Sequence, residues 1–574
     1  MTVVVLLLWI YGACVTVMAF SYSNNDHRAS NDISLDFEHL ERLGQTDSLI
    51  KALKDIARSS HDCGVRDVPK LRRKFLTNDS VTCNDGSPAG YFIRKSYGSK
   101  KWIIFLEGGW YCFDNVSCQM RWASNMKKFM SSKGWPKKRK VTGILSWNPE
   151  ENPYYFHSNI VYIPYCSSDT WSGTASMGTN GNEFAFMGSL ILEEVIKDLI
   201  PRGLKHATKL ILTGSSAGGT GVLINLDRVA NQMAKLAPEV EVRGIADSGW
   251  FLDYPQYRYK DCVEALSCAP TDGIKRGIKM WNGRVPETCM EEYTESEHWR
   301  CYFGYRLYKT LKNPLYVIQH LFDEAQILVD NVFEQTQIKG DNSAATVTKP
   351  QWEYLHKLGQ EVRKTLENVS AVFAPSCLSH EILTRYDWFN VSINSIKLGQ
   401  SIYCWENSYK YDKCLIKTAS VNALDTLQGD SPKTNDSKAT RRRRKNRKNK
   451  KKKKKKRDRE RKRDNRANSK SRKGRNKKRS KGRRKSRHRR HQHPSGSCFH
   501  HLIDSCPLPQ CNASCPKYRN RFTGDEMDFF RMFIRYGIDK KDIASLLGKD
   551  VSVIQRMDDS TLTRLIMDFV GRGS

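Results

Sequence analysis

One stretch, Lys209–Gly219, constrains the fold more than any other, because it joins a short apolar strand to a glycine-rich turn and the start of a helix. Leu210–Leu212 predict a buried strand, and the apolar spacing over Thr220–Leu236 predicts a helix. Between them, Gly214–Gly218 matches the G-x-S-x-G pattern, in which a serine stands on a sharp strand-to-helix turn. The pentapeptide alone is weak evidence. Its flanking strand and helix support the prediction that Ser216 is a nucleophile.

A second glycine-rich turn, Gly108-Gly109, follows the apolar strand Trp102–Leu106. In serine hydrolases such a loop supplies one N–H group of the oxyanion hole, and the residue after the nucleophile, here Ala217, supplies the other. Without Ser216 downstream, an ordinary strand-ending turn would be the preferred interpretation.

Strands and helices alternate along the chain. Phe186–Ile200 is one of the segments with helical spacing. Further strands are predicted at Asn159–Pro164, Val240–Ala246, Leu315–Gln319 and Val369–Phe373. This alternation predicts an α/β fold of the α/β-hydrolase type, with a mostly parallel sheet and helices on both faces. Ligands gather at the carboxyl ends of strands in such sheets, and Ser216 follows one of these ends.

A serine nucleophile needs a histidine base, which follows the serine and the acid in the chain order of α/β-hydrolases. His380 is the best candidate, since it follows a strand and lies in a short loop. The other histidines after Ser216 are less suitable: His298 is in a charged run, His320 precedes the better acid and His356 is in a helical segment. Five more lie in or beside a basic tract, which we expect to be mobile and without fixed geometry: His488, His491, His493, His500 and His501.

The orienting acid is predicted to be Asp323, which closes the strand and loop that begin at Tyr316. Asp247, just past another strand, is the alternative, and Asp330 is interpreted as part of a solvated helix face. A serine, histidine and aspartate mechanism requires no metal or organic cofactor.

The net charge of +35 is concentrated in one segment of the 574 residues. Arg441–Arg490 holds 34 Lys and Arg against three acids, a net +31, so the remainder of the chain carries only +4. With almost no apolar residues, this basic tract cannot bury a core and is predicted to be disordered.

The apolar run that begins at Val3 ends in small residues that suit cleavage after Ala19. This pattern predicts a secretory signal peptide, although the basic residues typical of its start are missing.

Removal of Cys14 with the signal peptide leaves 16 of the 17 cysteines, an even number typical of disulfide pairing in an oxidising compartment. No later stretch is apolar and long enough to span a bilayer. Zinc binding by the last three cysteines is a weaker interpretation, because no tight C-x-x-C pair accompanies them. Six N-x-S/T sequons are candidate glycosylation sites: Asn78, Asn115, Asn368, Asn390, Asn435 and Asn512.

The predicted organisation has five parts. They are a signal peptide over 1–19, a leader over 20–60 with a helix at Ser48–Arg58, an α/β-hydrolase domain over 61–428, a disordered basic insertion over 429–497, and a docked segment over 498–574. The last segment begins with a Cys- and Pro-rich clamp, Cys498–Cys515. Helices are predicted after it at Met527–Tyr536, Asp539–Leu547 and Ser560–Val570.

Several long motifs resemble the secreted palmitoleoyl-protein carboxylesterases of the pectin acetylesterase-like family. The motifs are Leu106–Tyr111, Gly214–Leu223, Ala246–Leu252, Phe322–Gln326 and Cys377–Glu381. The likeness runs from Cys63 to Cys404 and from Cys498 to Gly537, and the basic tract interrupts it.

The resemblance implies an α/β-hydrolase whose triad is Ser216, Asp323 and His380. It also implies an oxyanion hole built from the amides of Gly109, Trp110 and Ala217. The implied substrate is the palmitoleate ester on a serine of Wnt proteins, and its removal inhibits Wnt signalling. The implied acyl pocket comprises Trp110, Tyr111, Phe251, Pro270, Ile274, Phe303, Ala325 and Val329. Most of these are apolar, as a fatty acyl pocket requires, although plain core packing is an alternative, above all for Pro270 and Val329.

The basic tract allows three interpretations. Nucleic-acid binding would lead in a cytosolic protein, but outside the cell the available polyanion is sulfated glycosaminoglycan, so heparan sulfate proteoglycans are the preferred partner. An inert insertion open to proteases is the third. For the whole chain, two other functions stay open: a polysaccharide O-acetyl esterase, and a non-catalytic matrix-bound protein that sequesters acylated ligands.

Overall fold

The structure is a computed structural model, and it describes residues 69–333, 348–408, 498–516 and 540–558, together with 561, 562 and 565. Several sequence predictions lie outside these residues: the signal peptide, the leader helix, the basic tract and the helix at Met527–Tyr536. Most of the helix expected at Ser560–Val570 lies outside them as well. The described residues up to Asn407 and from Cys498 on belong to one compact unit. The domain boundaries stay a prediction.

The described residues contain fourteen strands. In chain order they are β1 Leu71–Phe75, β2 Gly90–Arg94, β3 Lys101–Leu106, β4 Lys138–Arg139, β5 Asn159–Ile163, β6 Lys209–Ser215, β7 Glu241–Asp247, β8 Leu315–Ile318, β9 Phe322–Asp323, β10 Val372–Ala374, β11 Leu378–Ser379, β12 Ser392–Ile393, β13 Ile396–Lys397 and β14 His501–Ile503.

Ten of these strands form one sheet, in the order β14-β10-β8-β7-β6-β3-β5-β2-β1-β4. The seven strands from β14 to β5 are parallel, and β2, β1 and β4 add an antiparallel edge. β6 is buried at every position, which is typical of a parallel strand covered on both faces. The predicted α/β-hydrolase class, with a mostly parallel sheet, is confirmed.

In the described residues, helices lie between the strands and two more follow β14. They are α1 Asn115–Ala123, α2 Gly188–Leu199, α3 Ala217–Leu236, α4 Pro270–Met280, α5 Glu287–Met290, α6 Gly304–Leu307, α7 Glu324–Val329, α8 Lys349–Leu366, α9 at residues 398–408, α10 Lys540–Leu547 and α11 Val551–Gln555. None of the described helices is both long and apolar enough to cross a membrane.

Most predicted elements match these bounds closely, but one strand was placed too early. The strand expected at Val369–Phe373 begins at Val372, because the Val369 amide donates to the Leu366 carbonyl at the end of α8 and makes a turn.

Seven disulfides pair all fourteen described cysteines. The pairs are Cys83–Cys166, Cys112–Cys118, Cys262–Cys268, Cys289–Cys301, Cys377–Cys515, Cys404–Cys498 and Cys506–Cys511. The predicted disulfide-rich character is therefore confirmed. The last three cysteines are all bonded, so the zinc interpretation is excluded for them.

The strand order places a switch point at the centre of the sheet. β5 lies on one side of β3 and β6 on the other, so the chain reverses its direction of growth between them. The loops after β3 and β6 therefore border one crevice at the carboxyl edge, where ligands bind in open α/β sheets.

Candidate active site

Ser216 lies between β6 and α3 at this crevice. Its φ of 58° is left-handed and strained for a residue other than glycine, a conformation that is common at functional sites. The Ser216 amide donates to the Asp247 carbonyl at 2.9 Å and holds the turn in place. Glycine is required nearby, because a Cβ at Gly218 would lie 2.0 Å from the Leu106 carbonyl oxygen. The sequence motif thus forms the sharp turn expected of it.

His380 and Asp323 are brought together from separate loops. The Nδ1 atom of His380 lies 3.0 and 2.9 Å from the two carboxylate oxygens of Asp323. Asp323 also caps α7, where it accepts hydrogen bonds from the Ala325 and Gln326 amides at 2.9 and 3.2 Å. Four donors, with the Gln319 side chain at 3.3 Å included, thus hold this buried carboxylate in one orientation.

Opposing influences act on the protonation of His380. Burial disfavours the imidazolium, but the Asp323 carboxylate outweighs burial and raises the pKa of His380. This pairing keeps a proton on Nδ1 and leaves Nε2 to exchange a proton with a neighbouring hydroxyl.

Asp247, the alternative acid, has a different position. Its Oδ2 accepts hydrogen bonds from the Ser215 hydroxyl at 2.7 Å and from the Ile382 and Leu383 amides at 2.9 and 3.0 Å. Burial raises the pKa of Asp247. Among the described residues, Asp323 is the acid hydrogen-bonded to His380, and Asp247 anchors the chain that follows the histidine.

Two other expectations about titratable residues were wrong. Asp330 is fully buried rather than on a solvated helix face, and it accepts a hydrogen bond from the side-chain Nε2 atom of Gln326 at 3.0 Å. His501 lies in β14 rather than in a mobile segment, where its Nδ1 is 2.7 Å from the Val369 carbonyl oxygen. His500 is described just before it, so only the three earlier histidines of the tract fall outside the description.

None of the other described histidines is hydrogen-bonded to Asp323. His298 is in a short 3₁₀ segment, and His356 is on α8 beside Trp352. His320 is fully buried, and burial lowers its pKa to about 4.

The loop after β3 has an unusual backbone. Gly109 has a φ of 146° and Trp110 a φ of 61°. The Arg121 guanidinium donates to the Gly109 carbonyl at 2.6 Å and to the Ser168 hydroxyl at 2.9 Å, which holds the loop from behind. Burial lowers the pKa of Arg121 to about 10. Ala217 is the first residue of α3, so its amide lies at a helix N-terminus, where negative charge is favoured.

Ser216 and His380 line one pocket of about 530 Å³. Of the residues predicted for the acyl pocket, Trp110 alone is in the lining of this cavity. The lining combines charged side chains, among them Glu107, Arg139 and Glu381, with apolar ones such as Phe105 and Phe129. This cavity is therefore not the apolar pocket that the sequence predicted.

The other predicted acyl residues are packed into the protein at several places. Phe251 lies with its ring centroid 6.3 Å from that of His380, and Ala325 follows Asp323 at the start of α7. Tyr111 contacts α4, because a Cβ at Gly273 would lie 2.8 Å from its hydroxyl. The others are buried: Pro270, Ile274, Phe303 and Val329.

Potential metal ligands converge at one place in the described part of the chain, where Cys404, Cys498 and His500 meet. The two cysteines form a disulfide, so their sulfur atoms are not available as thiolate ligands.

The sequons differ in their surroundings. Asn115, Asn368 and Asn390 are exposed and Asn78 is half-buried, whereas Asn435 lies outside the described residues. The Asn512 side-chain nitrogen donates to the Ser392 carbonyl and the Asp504 carboxylate at 2.8 and 2.7 Å. A glycan on Asn512 would have to break these contacts.

The sequence indicated the Gly108-Gly109 turn beside the site, but it gave no role to Arg121 or Glu381. A Cβ at Gly108 would lie 2.8 Å from the Ser216 Cβ, so this position admits only glycine. Arg121 carries no sequence signal, because its partner Ser168 is 47 residues away. Glu381 is the last residue of the Cys377–Glu381 motif that also contains His380, so its place in that motif is the sequence signal that could have pointed to it.

Comparisons with known proteins add a family context to this geometry. A family model described as Pectinacetylesterase matches residues 70–426. The chain is 42% identical over 525 residues to the palmitoleoyl-protein carboxylesterase NOTUM of Mus musculus, covering 91% of this chain and 87% of that protein. The chain is also 42% identical to the Homo sapiens protein of the same name, and the match covers 91% of this chain and 88% of that protein. The Drosophila melanogaster protein is 47% identical over 363 residues, which cover 62% of this chain and 51% of that protein.

Proposed function

This chain belongs to the pectinacetylesterase family, and we propose that it is a secreted serine carboxylesterase that removes the palmitoleate ester from a serine of Wnt proteins and so inhibits Wnt signalling. The observation that carries the proposal is the contact of the buried Asp323 carboxylate with His380, which lines one cavity together with Ser216. The names of the relatives, palmitoleoyl-protein carboxylesterases, support the choice of ester.

In the proposed mechanism, His380 removes the hydroxyl proton of Ser216, and the oxygen attacks the ester carbonyl. Asp323 holds the imidazole in one tautomer and stabilises its positive charge. His380 then gives the proton to the serine oxygen of the departing protein, which breaks the ester bond. Water, activated by the same imidazole, hydrolyses the acyl-enzyme and releases the fatty acid.

The tetrahedral intermediate carries a negative oxygen that needs fixed donors. We assign this role to the backbone amides of Gly109, Trp110 and Ala217. The Arg121 contact to the Gly109 carbonyl supports the assignment, because it fixes the orientation of the loop before reaction. Loss of one such donor typically lowers the rate by about a hundredfold or more.

The acyl chain is proposed to lie among the apolar residues named above, on the side of His380 that Phe251 occupies. An apolar wall suits a fatty acyl chain, since burial of each methylene contributes about 0.8 kcal/mol.

The test compares Ser216→Ala with the unchanged enzyme on a peptide that carries one palmitoleoylated serine. The variant is expected to be secreted normally and to release no fatty acid, whereas Ser296→Ala, at an exposed position, retains full turnover. A fluorophosphonate probe should label the unchanged enzyme but not Ser216→Ala. Normal turnover by Ser216→Ala would refute the proposal, and an enzyme that binds the peptide without turnover would be a sequestering protein instead.

A polysaccharide O-acetyl esterase is the second candidate, favoured by the description of the matching family. Acetyl and octanoyl nitrophenyl esters separate the two functions. A long acyl pocket gives a higher kcat/KM for octanoate, and a preference for acetate would favour the second candidate.

Export from the cell and retention near its surface complete the proposal. The seven disulfides support an oxidising compartment, and the net +31 of Arg441–Arg490 supports binding of heparan sulfate. The full chain should leave a heparin column at a higher salt concentration than a chain without the tract. Elution of both at the same salt concentration would contradict this partner.

A further inference from the structure

The two sides of the Ser216–His380 pair differ in polarity. The residues assigned to the acyl side are apolar, and Ile274, Phe303 and Ala325 are only 5, 2 and 5% exposed. The open cavity of about 530 Å³ has charged side chains beside apolar ones in its wall. An acyl chain placed there would desolvate the Glu381 carboxylate and the Glu107–Arg139 pair, which is unfavourable.

The chemistry itself requires space beside His380 for the other half of the ester. His380 must come within hydrogen-bond reach of the leaving oxygen in order to protonate it. The chain attached to that oxygen then continues into the space next to the imidazole. His380 and the following residue, Glu381, both line the open cavity, so this cavity adjoins the departing alcohol.

Glu381 is held in this position by its backbone. Its φ of 57° is left-handed, which is uncommon for a residue with a long side chain. The Glu381 amide donates to the Ser248 hydroxyl at 3.0 Å, and the next two amides donate to Asp247. The side chain extends toward the loop after β3, since a Cβ at Gly108 would lie 2.9 Å from the Glu381 Oε1. Strain that the surroundings maintain in this way is typical of functional positions.

The other charged groups that line the cavity are not paired with the Glu381 carboxylate. Glu107, the other acid in the wall, pairs with Arg139 at 2.9 Å and accepts from the Tyr165 amide. In the described part of the chain, no donor lies within hydrogen-bonding or ion-pairing distance of the Glu381 carboxylate. Lys140 contributes one positive charge at the exposed rim.

We propose that this cavity binds the alcohol half of the ester, a peptide, and that Glu381 is a specificity-determining residue that accepts hydrogen bonds from a positively charged side chain near the acylated serine. The inference rests on the proposed esterase function and names the peptide that the same site selects. A cation supplies the missing donors and neutralises a carboxylate that faces both His380 and the fatty acyl ester.

The experiment uses the full chain and three peptides with one octanoylated serine, flanked by lysine, glutamine or glutamate. Assays run at about pH 8, because burial raises the pKa of Glu381 to about 7 and the carboxylate is ionised there. The unchanged enzyme should have a kcat/KM for the lysine peptide that is about tenfold higher than for the glutamate peptide, as expected for one charge-assisted contact. Glu381→Gln, which keeps the size of the side chain, should lower this ratio to about one.

Two further variants keep the test decisive. Lys140→Gln removes a positive charge at the rim that would repel the lysine peptide, so it should increase the kcat/KM ratio of the lysine peptide to the glutamate peptide. This variant tests the charge preference of the cavity even if Glu381→Gln folds poorly. Glu239→Gln, exposed just before β7 at the other end of the strands, should leave the ratio unchanged.

The outcomes separate the two proposals. Equal rates for all three peptides in the unchanged enzyme, or a ratio that persists in Glu381→Gln, would overturn the inference while Ser216-dependent hydrolysis preserves the esterase function. Absence of any Ser216-dependent hydrolysis would overturn both.

Discussion

Each residue of the candidate triad is positioned by backbone groups from a different part of the chain. Ser216 is held by the Asp247 carbonyl, and Asp323 is held by the first amides of α7. His380 lies just before a chain segment whose amides bind the Asp247 carboxylate. The geometry of the candidate triad thus depends on Asp247 as well as on the residue that contacts the imidazole.

Asp323→Asn should leave the fold intact, because the amide oxygen can still cap α7. The variant places an amide against Nδ1 and favours the wrong tautomer, so kcat should fall by about 10⁴-fold. Asp323 raises the pKa of His380, so its loss should also move the acid limb of the pH–rate profile to lower pH. Steady-state rates with a nitrophenyl octanoate across the pH range measure both effects.

Asp387→Asn is the matched control, since this half-buried aspartate lies in the turn beyond His380 and accepts from Arg385. It should retain the rate and the pH profile. An unshifted acid limb in Asp323→Asn would contradict the assigned influence of Asp323 on His380.

At the scale of elements, a buried ion cluster joins α9 to the amino ends of two central strands. The Glu406 Oε1 atom lies 2.7 Å from the Lys101 Nζ atom and 3.1 Å from the Lys209 Nζ atom. Burial would raise the pKa of Glu406, but the two lysines outweigh it and lower the pKa to about 2. The cluster lies at the edge of the sheet opposite the candidate site, so it contributes to stability rather than to chemistry.

Glu406→Gln should lower the free energy of unfolding by about 3 kcal/mol at neutral pH, because it removes the acid that contacts both lysines and leaves Lys209 only the more distant Glu241 at 3.8 Å. The folded-state pKa of Glu406 is depressed, so its stabilisation is present above about pH 4.5 and is lost as the pH falls through about 2. Denaturant titrations should therefore show a large difference between variant and parent at pH 7 and a small one near pH 2.

Glu353→Gln, on an exposed part of α8, is the control and should change the unfolding free energy by less than about 0.5 kcal/mol. A difference for Glu406→Gln that stays constant with pH would contradict the role given to the lysines.

At the scale of the whole molecule, residues far along the chain complete the sheet. His501–Ile503 pairs in parallel with β10, and Cys515 is bonded to Cys377, which lies three residues before His380. The segment after the basic tract is therefore part of the framework that positions the histidine.

Replacing Cys377 and Cys515 together by serine should destabilise the protein more than the same change at Cys262 and Cys268. The Cys377–Cys515 bond spans 138 residues, but the Cys404–Cys498 bond already closes 94 of them. The Cys262–Cys268 bond spans only six residues. Loop-closure entropy then gives about 4 kcal/mol for the long loop and about 2 kcal/mol for the short one.

Thermal unfolding of the two double variants, with esterase activity measured beside it, tests this expectation. Loss of the Cys377 bond should also lower kcat through the position of His380. The expectation would be contradicted if the Cys262 and Cys268 double variant lost more stability than the Cys377 and Cys515 double variant.

The sequence alone determined the local parts of this protein. A strand, a glycine-rich turn and a helix were recognisable around Ser216, because side-chain periodicity and the steric freedom of glycine act over a few residues. The same local patterns indicated the parallel sheet and the loop that carries His380.

Only the tertiary structure decided which acid meets the imidazole, because Asp323 and His380 are 57 residues apart and Asp247 lies in an equally suitable place at the end of a strand. It also showed that Asp330 is buried and that Glu381 faces the cavity without a partner. Each of these depends on contacts between distant segments, and the free energy of such contacts is set by packing and burial that no local pattern records.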